Sequence, residues 1–150
     1  MHNIAQINVA RMLGANIEDP IMKAFVHNLD SINQLDENSE GFIWRLKDES
    51  NSASNFNPYN DSQIITNISV WENIESLQQF TFKTIHANIM KRRKEWFIKY
   101  GKAYVALWWI KPGDFPTVEE AVCRLTYLQE HGPSEPVSYT HLTLPTILLV

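Results

Sequence analysis

The sequence holds five histidines, the side chains whose reference pKa lies nearest neutrality. His86 stands out because Phe82, Ile89 and Met90 surround it at helical spacing. A neutral imidazole in that setting can orient a substrate or deprotonate a phenolic or enolic hydroxyl, since its reference pKa lies near neutrality. The electron-rich anion left behind can react with oxygen without a metal. Asn8, the polar exception on an alternating stretch near the N-terminus, is the side chain expected to reach the same cleft. Around these two, Trp44, Trp71, Trp96, Trp108 and Trp109, with Phe42, Phe80 and Phe82, offer flat apolar surface. Pockets for flat apolar ligands combine such surface with a few placed polar groups. The expected site is therefore His86 as the catalytic group, with Asn8, Trp44, Trp71, Phe80, Ile89 and Trp108 binding a small apolar or aromatic molecule. The competing reading assigns the aromatic residues to core and dimer packing, makes His86 a hydrogen-bonded boundary residue, and makes the protein a non-catalytic binding or regulatory module.

Other chemistries lack their residues. His86 has neither His nor Glu at three- or four-residue spacing, and no His, Cys or carboxylate set has metal-site spacing, so no metal is expected. A P-loop, a dinucleotide glycine pattern and a serine nucleophile elbow are all missing from the sequence, and no cofactor is expected. Cys123 is the single cysteine and sits in a helical pattern, VEEAVCRLTYLQE, where a buried inert thiol is expected. One cysteine cannot form an intramolecular disulfide, which suits a reducing cytoplasm. The run Lys91–Lys94, KRRK, falls near a helix C-terminus, where cations offset the negative end of the dipole; binding an acidic group on a ligand is the alternative. A net charge of -4 supplies no basic excess for a nucleic acid. The N-terminal stretch MHNIAQINVARM lacks the basic start and apolar run of a signal peptide, and no segment is apolar for the ~18 residues of a membrane span.

Elements must bring the candidate residues together. Asn3 to Arg11 alternates, with Ala5, Ile7 and Val9 on one side and Ile4, Gln6 and Asn8 on the other, which predicts a strand. Glu18, Asp19 and Pro20 open an amphipathic helix carrying Ile21, Ala24, Phe25, Leu29, Ile32 and Leu35 and ending near Asn38. Phe42, Trp44 and Leu46 alternate in a second strand, and a polar, turn-rich loop follows over residues 49–62. Ile64 to Trp71 alternates again. Asn73 caps the next helix, expected to run to about Phe97 and to bury Leu77, Phe80, Ile89 and Trp96. Tyr104 to Ile110 is a short apolar strand, in which Trp108 and Trp109 must face opposite ways. Thr117, with Glu120 at the capping-box position, opens a last helix that Gly132-Pro133 stops. The order is β-α-β-β-α-β with an appended helix, the ferredoxin-like order in the α+β class. Its two long helices are expected to cover one sheet face only. Apolar groups lie on both sides of the strands, so a symmetric dimer is expected to bury the other.

The last fifteen residues, PVSYTHLTLPTILLV, contain no Asp, Glu, Lys or Arg. Back-translated with suitable codons, Val137 to Thr146 resembles the transposon-end adapter used to build sequencing libraries, read through in frame. Residues 136–150 are therefore expected to be an artefactual tail, with residues 1–135 as the single domain.

The segments GFIWRLKDE, ISVWENIESLQQFTFKTIHANIMKRRKEWF, ALWWIKPGDFPTVEEAVCRL and LQEHGP resemble an uncharacterised bacterial domain-of-unknown-function family, family 3291, over residues 3–135. That family falls within the dimeric α/β-barrel superfamily, which includes antibiotic-biosynthesis monooxygenases and haem-degrading enzymes. The resemblance implies a ferredoxin-like protomer in a homodimer, without fixing an activity. Haem-degrading relatives use an Asn on the first strand, an aromatic residue and an axial His on the long helix. Here Asn8 matches the first and Phe80 the second, but aligning on VWE places Met90 at the axial position with His86 about one turn away. That departure makes haem binding the weaker expectation. Together these readings describe a cytoplasmic homodimer that binds a small molecule and acts as a cofactor-independent, monooxygenase-like protein.

Overall fold

The computed structural model describes residues 2–47, 56–81, 88 and 91–133. His86, Ile89 and Met90 lie outside the described residues, as does the chain from residue 134 onward. Among the described residues the fold is a five-stranded antiparallel sheet with three helices, in the ferredoxin-like arrangement.

Strand β1 (Asn3–Met12) is central. Strand β3 (Ile64–Trp71), at the bounds the alternation predicts, pairs with one edge of β1 so that Ile4 faces Trp71, Gln6 faces Ser69 and Asn8 faces Asn67. Strand β2 (Phe42–Arg45) lies outside β3, with a register shift between Phe42 and Trp44. The other edge of β1 is shared. Strand β5 (Val105–Ile110) pairs with Asn3 to Asn8, and the short strand β4 (Phe97–Ile98) pairs with Arg11 and Met12.

Alternation then sorts the side chains into two layers. Ile4, Ala10 and Met12 face helices α1 (Lys23–Glu37) and α2 (Ile74–Thr81), in a core with Phe25, Leu29, Ile32, Leu77 and Phe80. Helix α1 is entered through a 3₁₀ turn at Pro20–Met22, where the carboxylate of Asp19 accepts from the Ile21 amide at 3.1 Å. Helix α2 starts as its sequence predicts, with Asn73 Oδ1 accepting from the Ser76 amide at 2.8 Å. The turn between α1 and β2 depends on Gly41. Its φ of +83° favours glycine, and a Cβ there would collide with the Ser76 side chain.

Ala5, Ile7 and Val9 face the opposite layer. Helix α3 (Val118–His131), capped by Thr117 Oγ1 accepting from the Glu120 amide at 3.0 Å, lays Ala121, Leu125 and Leu128 against them. This corrects one expectation. The central strands are covered on both faces within one chain, so an uncovered sheet face no longer calls for a partner.

Two further expectations change. The second long helix does not reach Phe97: Arg93–Glu95 is a 3₁₀ turn and Phe97 enters β4. Phe97 pairs with Met12 and meets Phe25 edge-on at 5.0 Å, while Trp96 packs on Phe25 at 5.6 Å. Both rings reach one core because the chain leaves the helical path between them. Cys123 is exposed, not buried. The inward stripe of α3 is Ala121, Leu125 and Leu128, and a residue two places after Ala121 sits about 200° around the helix.

Candidate functional site

Period two places Gln6 and Asn8 on the same side of β1, and the register sets Ser69 directly across from Gln6 with Trp71 two residues further along β3. The result is a hydrogen-bonded series in the layer beneath α1 and α2. Trp71 Nε1 donates to Ser69 Oγ at 2.9 Å, Gln6 Nε2 donates to the same oxygen at 2.7 Å, and Asn8 Nδ2 donates to Gln6 Oε1 at 3.0 Å. All four side chains are buried, none more than 3% exposed.

The direction of these bonds carries the chemistry. Ser69 Oγ accepts from both Trp71 and Gln6, and the amide of Gln6 stands with its oxygen toward Asn8. Gln6 in turn holds the NH₂ of Asn8, which leaves Oδ1 as the acceptor end of the series. Among the described residues nothing donates to that oxygen. An oriented carboxamide oxygen in an apolar layer is an acceptor for a ligand hydroxyl or N–H. Aromatic surface lies beside the series: Phe42 meets Trp71 edge-on at 5.5 Å, and Phe80 packs on Trp71 at 5.2 Å. None of the four polar groups titrates near neutrality.

The structure divides the ligand-binding residues read from the sequence. Asn8, Trp71 and Phe80 share the layer under α1 and α2. Trp44 and Trp108 lie in the opposite layer under α3, so one pocket cannot take all five. Trp44 stacks on Phe115 at 5.5 Å, and Trp108 is buried beneath the guanidinium of Arg124 at 5.6 Å. Trp108 and Trp109 do point opposite ways; Trp109, at the sheet edge, is 42% exposed. Sequence reasoning passed over Gln6 and Ser69. Their signal was present in the alternation of each strand but needed the β1–β3 register to join them.

A second buried polar cluster lies where α1 ends. Asp36 occupies the last inward position of the stripe Phe25, Leu29, Ile32, Asp36. Burial pushes its carboxyl up to about 8, opposed by the cation of nearby Arg45 and reinforced by the charge of Glu37. Arg45, itself buried, lies 3.6 Å from the carboxylate of Glu37, which Lys47 approaches at 3.7 Å. Among the described residues no group of three or more His, Cys, Asp or Glu is placed to hold a metal ion. No helix among them is long and apolar enough to cross a membrane.

The chain belongs to the domain-of-unknown-function family DUF3291, whose model matches residues 3–144. No curated protein matches it. Solved structures share its fold. A conserved protein from Methanosarcina mazei superposes with a TM-score of 0.55 at 15% identity, covering 74% of this chain and 95% of that one. A protein from Shewanella oneidensis gives 0.53 at 10% identity, covering 72% and 90%. SnoaB, a cofactor-independent oxygenase from Streptomyces nogalater, gives 0.50 at 12% identity, covering 80% of this chain and all of that one. At these identities the likeness is one of fold.

Proposed function

We propose that this DUF3291 chain binds a small apolar or aromatic molecule bearing a hydroxyl, seated on the sheet face under α1 and α2 with that hydroxyl at Asn8. The observation that carries the proposal is the series of hydrogen bonds from Trp71 through Ser69 and Gln6, which ends in Asn8 Oδ1 as an acceptor. Phe80 and Phe42, packed on the Trp71 indole, give the layer its aromatic character. The chemistry proposed is a cofactor-independent oxygenation. Asn8 holds the substrate hydroxyl and His86 takes its proton. The anion then gives electrons to dioxygen and forms a carbon-bound hydroperoxide, whose O–O bond breaks to leave a carbonyl on the substrate and release water. A fold shared with SnoaB supports the scaffold for such a step.

A non-catalytic binding or regulatory module is the second reading. It is favoured by one observation: the residues in the series orient and do not titrate. Native mass spectrometry of protein purified from its host tests the binding claim, with a retained aromatic or apolar molecule as the expected result. Oxygen uptake with that molecule separates the two readings. Retention without uptake leaves the binding module, and no retained molecule removes both.

The proposal includes a homodimer. The sheet centre does not demand one, but Phe115, 50% exposed and stacked on Trp44, and Tyr127 on α3 are large apolar side chains left at the surface. Light scattering at micromolar concentration should give twice the mass of one chain, and a monomer there removes the dimer. Cytoplasmic location is proposed from the exposed free thiol of Cys123, which suits a reducing compartment.

A further inference from the structure

The two strands that share one edge of β1 are not continuous. Ile98 pairs with Arg11, Tyr104 accepts from the Val9 amide at 2.9 Å, and the five residues between, Lys99 to Ala103, leave the sheet through Gly101 at φ +86°. A cavity of about 730 Å³ opens at this excursion, within the range that takes a small organic ligand. Its floor is Val9 and Ala10, and its walls include Phe97, Tyr100 and Tyr104. Leu13 and Ile98, exposed to 40% and 43%, complete the apolar lining.

The charged lining has one sign. Arg93, Lys94 and Lys99 line the cavity and no carboxylate does, although the whole chain carries a net charge of -4. Among the described residues none of these three cations makes an ion pair. The basic run divides at this point. Arg92 is engaged by Glu95 through a pair of hydrogen bonds at 2.9 and 3.1 Å and lies over the Trp96 ring, whereas Arg93 and Lys94 turn to the cavity. A solvated basic face would not need an aromatic and aliphatic floor, and three cations are too few to attract a polymer of phosphates to an acidic protein.

We infer that this cavity is a binding site for a small organic anion, a carboxylate with an aromatic or acyl body, its head among Arg93, Lys94 and Lys99 and its body against Phe97, Tyr100 and Tyr104. The site is separate from Asn8, which does not line it, and it stands or falls independently of the function proposed above.

Calorimetric titration of the full chain with naphthalene-2-carboxylate and with decanoate tests the inference, with naphthalene-2-carboxamide as the uncharged control. At least one anion should bind, and the carboxamide about tenfold or more weaker, the scale of one charge-assisted contact. Arg93→Met and Lys94→Met should each weaken the anion about tenfold, and binding should weaken as salt rises. Ile98→Asp, which sets a negative charge in the lining, should weaken the anion by a larger factor than the carboxamide. Binding of neither anion, equal binding of carboxylate and carboxamide, or affinities unmoved by Arg93→Met and Ile98→Asp would overturn the inference.

Discussion

Under α1 and α2 the groups of Gln6, Asn8, Ser69 and Trp71 are buried in series, each fixing the next. Under α3, by contrast, Thr66 Oγ1, Tyr59 Oη and Trp108 Nε1 are buried with no hydrogen-bond partner among the described residues. The two layers share strands and apolar packing, so the difference lies in polar organisation. An unmet buried polar atom costs about 1–3 kcal/mol, so the apolar packing of the α3 layer, which includes Ala121, Leu125 and Leu128, has to offset three such atoms. Tyr59 shows the effect: burial, with a smaller contribution from Tyr100, pushes its hydroxyl up to about 12, so it stays protonated. Buried polarity marks a candidate site where the groups are oriented toward a free end. Where they are scattered and unmet, it is only a burden on stability.

The largest expected effect belongs to the chemistry proposed for the first layer. His86→Ala should lower turnover of the identified substrate by ~10²- to 10⁴-fold while the melting temperature stays within a few degrees. Unchanged turnover would leave that layer with binding alone. In the second layer the dominant loss should be packing: Leu125→Ala should destabilise by about 2–5 kcal/mol with ligand retention intact in the folded fraction. Calorimetric melting checks this, and a shift below ~1 kcal/mol would mean that α3 is not part of the core.

Asp36 gives a pH test at the margin of the first layer. Its carboxyl is raised from 3.8 to about 8 in the folded state. Across that interval the folded chain keeps a proton that the unfolded chain has lost. The corresponding stability is full below about pH 4 and is lost as pH rises toward 8. Asp36→Asn should therefore melt higher than the parent at pH 8, with the difference shrinking toward pH 4. An equal difference at both pH values would show that the carboxyl does not titrate as described.

The smallest effects sharpen the contrast most. Gln6→Leu removes the middle of the series, leaves Asn8 Nδ2 unmet, and should cost about 1–3 kcal/mol by chemical denaturation. Thr66→Val removes an unmet hydroxyl at similar volume and should be neutral or stabilising by up to ~1 kcal/mol. If both changes cost the same, the layers do not differ as argued.

Much of this was legible in the sequence. Alternation gave β3 at its observed bounds and put Asn8 opposite the Ala5, Ile7, Val9 side; capping residues marked the starts of α2 and α3. What could not be read is how elements pair and where they pack. A single strand's period does not say that Gln6 meets Ser69, because that depends on the β1–β3 register. Nor does a helical stripe say which face of a sheet it will cover, so α3 was recognised as a helix without being placed on the second face. Phe97 illustrates the same limit: its contacts with Met12 and Phe25 took it out of the helical pattern that preceded it. Asp36 sat in a position that the spacing alone would give to an apolar residue, and only its burial next to Arg45 reveals a titrating group.

The most direct measurement is native mass spectrometry of the parent, Thr66→Val and Asn8→Leu proteins, each purified from the same host. The parent and Thr66→Val should retain the same small molecule, and folded Asn8→Leu should lose it. Retention by all three, or its loss in Thr66→Val as readily as in Asn8→Leu, would contradict a ligand site at the end of the Trp71–Ser69–Gln6–Asn8 series.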